Sequence, residues 1–209
     1  VKAAEDMAER SLRSITDNPV FLMPDEQHPL GRALSTGGYH NAAAAPALDE
    51  LSACCADLAL LAERQAAKIL EGRVSGLPDQ LWAGPGDGRY FGTLPMASVG
   101  FGEAARHAAQ RTFLAGPESG GYAQNDVASN GIPAWRKYDE AGAAFDACLA
   151  VLATIASQAL HVTERDPPPA LAARLKMIHS TLPPVEEPRA MGDGLQALRA
   201  KFTEEAYKA

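Results

Sequence analysis

Apolar residues recur at helical spacing in two long stretches of the chain. After Asn41, a good N-cap, the pattern predicts one helix from Ala42 to Glu71, closed by Gly72. A second long helix is predicted from Ala134 to Thr163. The first is expected to pack through Leu48, Leu51, Cys55, Leu58, Ala62 and Ile69, with Asp49, Glu50, Asp57 and Glu63 opposite. The second is expected to pack through Phe145, Leu149, Leu152, Ile155, Ala159 and Val162.

Shorter periodic stretches add further helices and very little strand. Helices are predicted over Pro95–Leu114, Ala170–Ser180 and Leu195–Tyr207, and a short hairpin between Val20 and Ser35. No β-alternating run of any length is found. The predicted fold class is therefore all-α, a bundle of long helices that run parallel or antiparallel to each other.

Composition and charge narrow the class of protein. The chain has 209 residues, 46% of them apolar, and a net charge of −7 from 19 basic and 26 acidic residues. This balance argues against general binding to nucleic acid or anionic membrane. No apolar run is judged to approach the length of a bilayer span, and no signal-peptide pattern opens the chain. We therefore expect a cytoplasmic protein.

The three cysteines, Cys54, Cys55 and Cys148, follow no disulfide or metal-ligand spacing. Cys54 and Cys55 lie in an Ala- and Leu-rich run and are predicted to be small core residues. No H-E-x-x-H, C-x-x-C or other clustered His and Cys spacing is present. We expect no metal site.

Three loops combine glycine with polar or aromatic residues that helix packing does not need. They are Thr16-Asp17-Asn18-Pro19, Gly37-Gly38-Tyr39-His40, and Gln124-Asn125-Asp126 with Ser129 following. Each has a purely structural interpretation, in which its side chains cap helices or satisfy backbone amides in a turn. Each also has a functional one, in which Tyr39 and His40 line a cavity or the amides hold a polar substrate group. Taken singly, the structural interpretation is favoured.

Taken in order, these segments resemble the C-terminal half of the histidine, phenylalanine and tyrosine ammonia-lyases and aminomutases. That family uses the electrophile 4-methylidene-imidazol-5-one (MIO). Its T-D-N-P turn resembles Thr16–Pro19, and its S-G-G-N-F-H stretch resembles Ser35–His40. Its E-R-R, S-x-L-P and N-Q-D-V-x-S segments resemble Glu63–Gln65, Ser75–Pro78 and Gln124–Ser129. The resemblance extends over essentially the whole chain.

The resemblance implies a fold, an assembly and a reaction. The fold is a long-helix bundle, and the chains associate into a tetramer with a helical core. The reaction removes ammonia from an aromatic amino acid to give an α,β-unsaturated acid. Tyr39 and Asn125 occupy positions of catalytic residues, and Gln124 and His40 positions of substrate-binding residues. Because an amide is not a general base, Asn125 would orient groups by hydrogen bonding, which disfavours histidine as the substrate.

The Ala-Ser-Gly triad from which MIO forms is absent from this chain. The resemblance places that triad, the catalytic tyrosine loop and a carboxylate-binding arginine before the T-D-N-P turn. We therefore expect the chain to be inactive alone and to work with an MIO-bearing N-terminal chain. A cleaved portion of a longer polypeptide, an aminomutase of the same family and a non-catalytic helical scaffold remain alternatives.

The expected organisation of the chain has three parts. Residues 1–40 are predicted to hold the turn, the hairpin and an active-site loop, 41–163 the long core helices, and 164–209 a helical tail. The start at Val1, without Met and with helical character, is interpreted as a cut or processing point.

Overall fold

The computed structural model describes residues 1–82, 89–113 and 129–206. Within these residues the α-helices are α1 (Lys2–Arg13), α2 (Ala44–Leu70), α3 (Gly72–Ser75), α4 (Leu94–Ala108), α5 (Gly131–Val162), α6 (Ala172–Thr181) and α7 (Gly192–Ala206). Two short strands, β1 (Val20–Leu22) and β2 (Arg32–Leu34), form an antiparallel hairpin that pairs Val20 with Leu34. The all-α fold class and the predicted hairpin are confirmed.

The chain folds into two compact units. The first comprises Val1–Cys54 and Ala108–Asp139, and the second comprises Cys55–His107 and Glu140–Ala209. Helices α2 and α5 each contribute residues to both.

Predicted helix ends differ from the observed ones. The long helix α2 ends at Leu70, because Glu71 is extended and Gly72 begins α3 instead of closing α2. Helix α4 ends at Ala108, earlier than predicted, and the predicted end at Leu114 lies outside the described residues. Apolar periodicity locates a helix well, but its last turn depends on local backbone contacts.

The hairpin is closed by a hydrogen-bonded loop between its strands. One carboxylate oxygen of Asp25 accepts hydrogen bonds from the backbone amides of Gln27 and His28, at 2.9 and 2.6 Å, and lies 3.0 Å from the His28 Nδ1 atom. The hydrogen bond from the His28 side chain is the main reason that the pKa of Asp25 is lowered from its usual value. The short polar loop thus fixes the hairpin connection.

The predicted packing face of α2 is wrong in part. Leu58 is 46% exposed and Cys54 is exposed, whereas Ala59, Ala62 and Ala66 are buried. Glu63, expected on the half-exposed face, is buried and forms an ion pair with Arg64 at 3.2 Å. The buried stripe therefore consists mainly of small side chains, which allow close approach between helix axes.

Helix α5 forms the centre of the second unit. Val151 and Ile155 pack in one apolar cluster with Ala66, Leu70 and residues of later segments; the other buried members are Leu81, Phe91, Leu182, Val185 and Met191. Cys148 lies on the same helix, fully buried, and donates a weak hydrogen bond to the Ser98 carbonyl at 3.5 Å. Burial, with the nearby Glu63 charge, raises the pKa of Cys148 to about 11.

The expectation that no apolar run approaches the length of a bilayer span is wrong for α5. This helix is long and apolar enough to cross a membrane, judged by length and composition only. An 18-residue stretch of this helix has a mean hydropathy of 1.6, and 50% of it is buried inside the protein. Its buried polar residues include Thr154, Ser157 and Gln158. This combination is typical of a core helix of a globular protein.

A buried amide clamp anchors the segment before α7. Gln158 is 2% exposed, donates to the Val185 carbonyl at 3.0 Å, and accepts from the Val185 amide at 2.8 Å. Both backbone groups of Val185 are therefore satisfied without regular secondary structure.

We predict that Gln158→Ala lowers the free energy of unfolding by about 2 to 4 kcal/mol, because two buried backbone groups lose their partner. Urea denaturation followed by circular dichroism measures the change. Gln65→Ala, on the exposed face of α2, is the matched control and should change stability little. Equal effects of the two variants would contradict the role given to the clamp.

Candidate functional site

The T-D-N-P turn is tied to the second predicted loop by side-chain hydrogen bonds. The Asn18 side-chain oxygen accepts from the Thr36 amide at 2.9 Å and from the Ser35 hydroxyl at 3.2 Å. The Thr36 hydroxyl donates to the Asp17 carbonyl at 2.6 Å, and the Asn18–Pro19 peptide bond is cis. The side chains of this turn thus satisfy polar groups of the second loop.

Gly38 brings the second loop directly against the backbone before the turn. A Cβ atom placed on Gly38 would lie 2.6 Å from the Ile15 carbonyl oxygen. A side chain at this position would therefore force the backbone to move. Gly38–His40 then forms one 3-10 turn, in which the His40 amide donates to the Gly37 carbonyl at 3.2 Å. Close backbone approach therefore sets the position of Tyr39 and His40.

Tyr39 and His40 form an aromatic pair at the surface of the first unit. Their ring centroids are 4.0 Å apart and their planes are inclined by 35°. Tyr39 is 39% exposed. The pair presents an aromatic face, a phenol hydroxyl and an imidazole at one place, which suits binding of a small ring-containing ligand with polar groups.

The third predicted loop ends beside this pair. The Ser129 hydroxyl donates to the His40 carbonyl at 3.2 Å. Gln124 and Asn125 lie outside the described residues, so their predicted positions stay predictions. Ser129 follows Asn125 by four residues, and its hydrogen bond joins the end of that loop to the Tyr39–His40 turn.

Asn41 does not cap α2 with its side chain, contrary to the sequence-based prediction. It has a left-handed backbone (φ 46°, ψ 49°), and its side-chain oxygen accepts from the Ser11 hydroxyl at 2.8 Å. The Asn41 carbonyl accepts from the Ala44 amide at 2.9 Å, so α2 starts at Ala44. Asn41 thus connects α1 to the turn through its side chain. Asparagine tolerates the left-handed backbone conformation found here.

Asp49 anchors the segment that follows α4, at Thr112. The sequence analysis did not suggest this role. Its two carboxylate oxygens accept from the Thr112 amide at 2.7 Å and the Thr112 hydroxyl at 2.8 Å. Lys137 donates to the same hydroxyl at 3.2 Å. The partners of Asp49 lie 63 residues away in sequence, so local pattern carries no sign of this contact.

A groove of about 660 Å³ runs between α1 and the start of α2 in the same unit. Most of its lining is apolar, including Met7, Ala8, Leu12, Ala44 and Leu48. Ser11 and Asn41 form part of the wall, which places one end of the groove next to the turn that carries Tyr39 and His40.

The described part of the site offers groups that can bind and orient a ligand. Phenol, imidazole, amide and hydroxyl groups are present at the turn, all of which donate or accept hydrogen bonds. Within residues 1–82, 89–113 and 129–206, no cluster of three or more His, Cys, Asp or Glu side chains has metal-binding geometry.

Comparison with known proteins shows the family. The family model for aromatic amino acid lyases matches residues 1–182, and the chain belongs to this family of ammonia-lyases and aminomutases. Histidine ammonia-lyase of Streptomyces coelicolor is 33% identical over 178 residues, which cover 83% of this chain and 33% of that protein. Histidine ammonia-lyase of Burkholderia multivorans is 30% identical over 185 residues, or 86% of this chain and 34% of that protein.

Solved structures show the same fold. Histidine ammonia-lyase from Trypanosoma cruzi superposes with a TM-score of 0.80 at 21% identity, covering 98% of this chain and 41% of that one. Phenylalanine aminomutase from Pantoea agglomerans superposes with a TM-score of 0.82 at 19% identity, covering 95% of this chain and 38% of that one. The chain thus spans about a third of the length of the two lyase relatives and about two fifths of these structures.

We predict that Gly38→Ala lowers the free energy of unfolding by about 1 to 3 kcal/mol, because the new methyl group meets the Ile15 carbonyl. Gly37→Ala is the matched control, since a Cβ there has no neighbour within 4 Å. We expect the control to stay within about 1 kcal/mol of the parent chain. Thermal and urea unfolding of both variants measure the difference, and equal losses would show that close approach at Gly38 is unimportant.

Proposed function

We propose that this chain is the C-terminal part of an MIO-type ammonia-lyase acting on an aromatic amino acid. The carrying observation is a set of hydrogen bonds within the first unit: Asn18 accepts from the Thr36 amide, and Ser129, at the described end of the third segment, donates to the His40 carbonyl. Membership of the aromatic amino acid lyase family supports the same interpretation.

The chain does not make the electrophile itself, because its 209 residues contain no Ala-Ser-Gly sequence. In the proposed enzyme the triad belongs to an N-terminal partner chain or to a preceding part of the same polypeptide. MIO, when present, supplies an electrophile for the substrate amine and acts as an electron sink. The residues of this chain then have to bind and orient the substrate.

Tyr39 and His40 are proposed to hold the substrate ring and its polar groups. The tilted ring pair offers an apolar face for an aromatic side chain, and the Tyr39 hydroxyl adds a polar group beside it. Gln124 and Asn125 are proposed to orient substrate groups through amide hydrogen bonds, since neither side chain can remove a proton. The base that removes the β-proton would come from the partner.

We also propose an assembly and a compartment. The chain would associate with the MIO-bearing chain and with further copies of itself into a helical tetrameric core, in the cytoplasm. In the first unit, five exposed apolar side chains support a partner surface: Leu12, Ile15, Phe113, Ile132 and Trp135.

Co-expression tests the proposal. We expect the purified complex of this chain with an N-terminal lyase chain that contains Ala-Ser-Gly to convert phenylalanine or tyrosine into a cinnamate-type product, followed by ultraviolet absorbance. Each chain alone should be inactive. A stable complex without turnover of any amino acid would refute the proposal. Formation of a β-amino acid instead, measured by chromatography, would identify an aminomutase, and failure to form any complex would support a scaffold.

We predict that Tyr39→Ala and Asn125→Ala each lower turnover by the complex, by about tenfold to a hundredfold, because the substrate loses a positioning contact. Circular dichroism should show unchanged helix content in both variants. Tyr39→Phe, which keeps the ring, and Asn125→Gln, which keeps the amide, are the matched controls and should retain most of the activity. Unchanged turnover in both alanine variants would show that the site is assigned wrongly.

A further inference from the structure

A series of side-chain hydrogen bonds connects helix α2 to the Tyr39–His40 turn through later parts of the chain. It begins at Asp49, whose carboxylate accepts from the Thr112 amide at 2.7 Å and from the Thr112 hydroxyl at 2.8 Å. The same hydroxyl accepts from the Lys137 ammonium at 3.2 Å, so it links an anion of α2 to a cation of α5. Hydrogen bonds to charged groups are stronger than those between neutral groups, and these bonds fix the position of Thr112.

The second link joins the residue after Thr112 to the start of α5. The Asn130 side chain donates to the Phe113 carbonyl at 3.4 Å, and Asn130 is only 7% exposed. The Asn130 carbonyl accepts from the Ala134 amide at 3.2 Å, which fixes the Asn130 backbone at the first turn of α5. Loss of a partner by a buried amide group is costly, so Asn130 and Phe113 stay together.

The last link reaches the turn itself. Ser129 directly precedes Asn130, and its hydroxyl donates to the His40 carbonyl at 3.2 Å. His40 precedes α2, the helix that carries Asp49, so the contacts close a ring. All members of this ring belong to the first unit: His40, Asp49, Thr112, Phe113, Ser129 and Asn130.

We propose that Asp49 is a positioning residue of the Tyr39–His40 turn and acts on it through Thr112 and Asn130. Asp49 holds Thr112, Asn130 joins the Thr112 segment to the start of α5, and the adjacent Ser129 holds the His40 carbonyl. The effect on catalysis rests on the proposed function, in which Tyr39 and His40 hold the substrate. The coupling between Asp49 and the turn does not depend on that function.

The start of α5 extends the role of Asp49 beyond its direct contact with Thr112. Lys137 of α5 bonds to Thr112, and Asn130, which directly precedes α5, bonds to Phe113. Packed side chains, hydrogen bonds and rigid helices are the structures that carry coupling between distant groups. A shift of the Thr112 segment is therefore passed through the start of α5 to Ser129 and the His40 carbonyl.

Amide hydrogen exchange of the full chain, resolved by NMR, tests the coupling. The His40 and Asn41 amides donate to the Gly37 and Gly38 carbonyls, so their exchange reports the order of the turn. We expect Asp49→Ala to raise exchange on the order of tenfold at the Thr112 amide, which loses its acceptor. At the His40 and Asn41 amides the increase should be on the order of threefold, because the turn loses an indirect support.

Two variants on α2 serve as matched comparisons. Glu50→Ala removes the acid next to Asp49, which is exposed, and exchange at Thr112 and in the turn should equal that of the parent. Asp49→Asn keeps an acceptor for the Thr112 amide but removes the charge, so its effects should be smaller than those of Asp49→Ala at both places. Circular dichroism checks that helix content is unchanged.

Removal of the middle link separates coupling from local loosening. Asn130→Ala should raise exchange at His40 and Asn41 on the order of threefold, while the Thr112 amide stays protected by Asp49. Addition of Asp49→Ala to Asn130→Ala should then raise exchange at Thr112 with no further increase at His40 and Asn41. Such non-additivity is expected of residues that act through one network.

Kinetics of the co-expressed complex test the consequence for the site. We expect Asp49→Ala to raise KM by about threefold to tenfold, because displaced Tyr39 and His40 groups bind the substrate less well. A simple loss of folded protein would lower the apparent kcat and leave KM unchanged. Glu50→Ala should keep both parameters of the parent complex.

Two exchange results would overturn the inference. One is increased exchange at Thr112 in Asp49→Ala with parental exchange at His40 and Asn41; the other is an equal further increase in the turn when Asn130 is already replaced. Should Asp49→Ala fail to fold, parental exchange in the turn of both Asp49→Asn and Asn130→Ala overturns it instead.

The two proposals fail separately. An active complex with an unchanged KM in Asp49→Ala would refute the positioning role and leave the lyase proposal standing. A complex without turnover would refute the lyase proposal, and the exchange measurements on the chain would still decide the coupling.

Discussion

The site depends on one side-chain carbonyl, that of Asn18. It accepts hydrogen bonds from the backbone and a side chain of the Ser35–Thr36 segment, and Thr36 returns a hydrogen bond to Asp17. These bonds hold together two loops that lie at the two ends of the β1–β2 hairpin. With the loops fixed, Gly38 can lie against the Ile15 backbone, and the Tyr39–His40 pair takes a defined place. Hydrogen bonds between short polar loops thus help to position the residues of the site.

Helix α2 buries mainly its small side chains. Small residues of α2, such as Ala59, Ala62 and Ala66, pack inside, while Leu58 and Leu61 remain exposed. Close helix packing favours small side chains, and the large ones on the opposite side of α2 are then left exposed. The chain spans about a third of the length of its lyase relatives.

Much of the fold and part of the site could be predicted from local pattern. Helical spacing located α2 and α5, and the turn residues between Val20 and Ser35 located the hairpin, because these elements are set by neighbours a few residues away. The motif order also indicated the family, which the family model confirms over residues 1–182. The roles of Tyr39, His40, Gln124 and Asn125 stay predictions.

By itself, the sequence determined the helical class, the family and the absence of the Ala-Ser-Gly triad, since each depends only on residue type and order. Tertiary structure decided which face of α2 is buried. Periodicity shows that an apolar stripe exists, but it does not show which side of the helix the rest of the protein covers. It also decided the partners of Asn18 and Asp49, which lie 18 and 63 residues away. Contacts at such distances arise only when the chain is folded, and no local pattern encodes them.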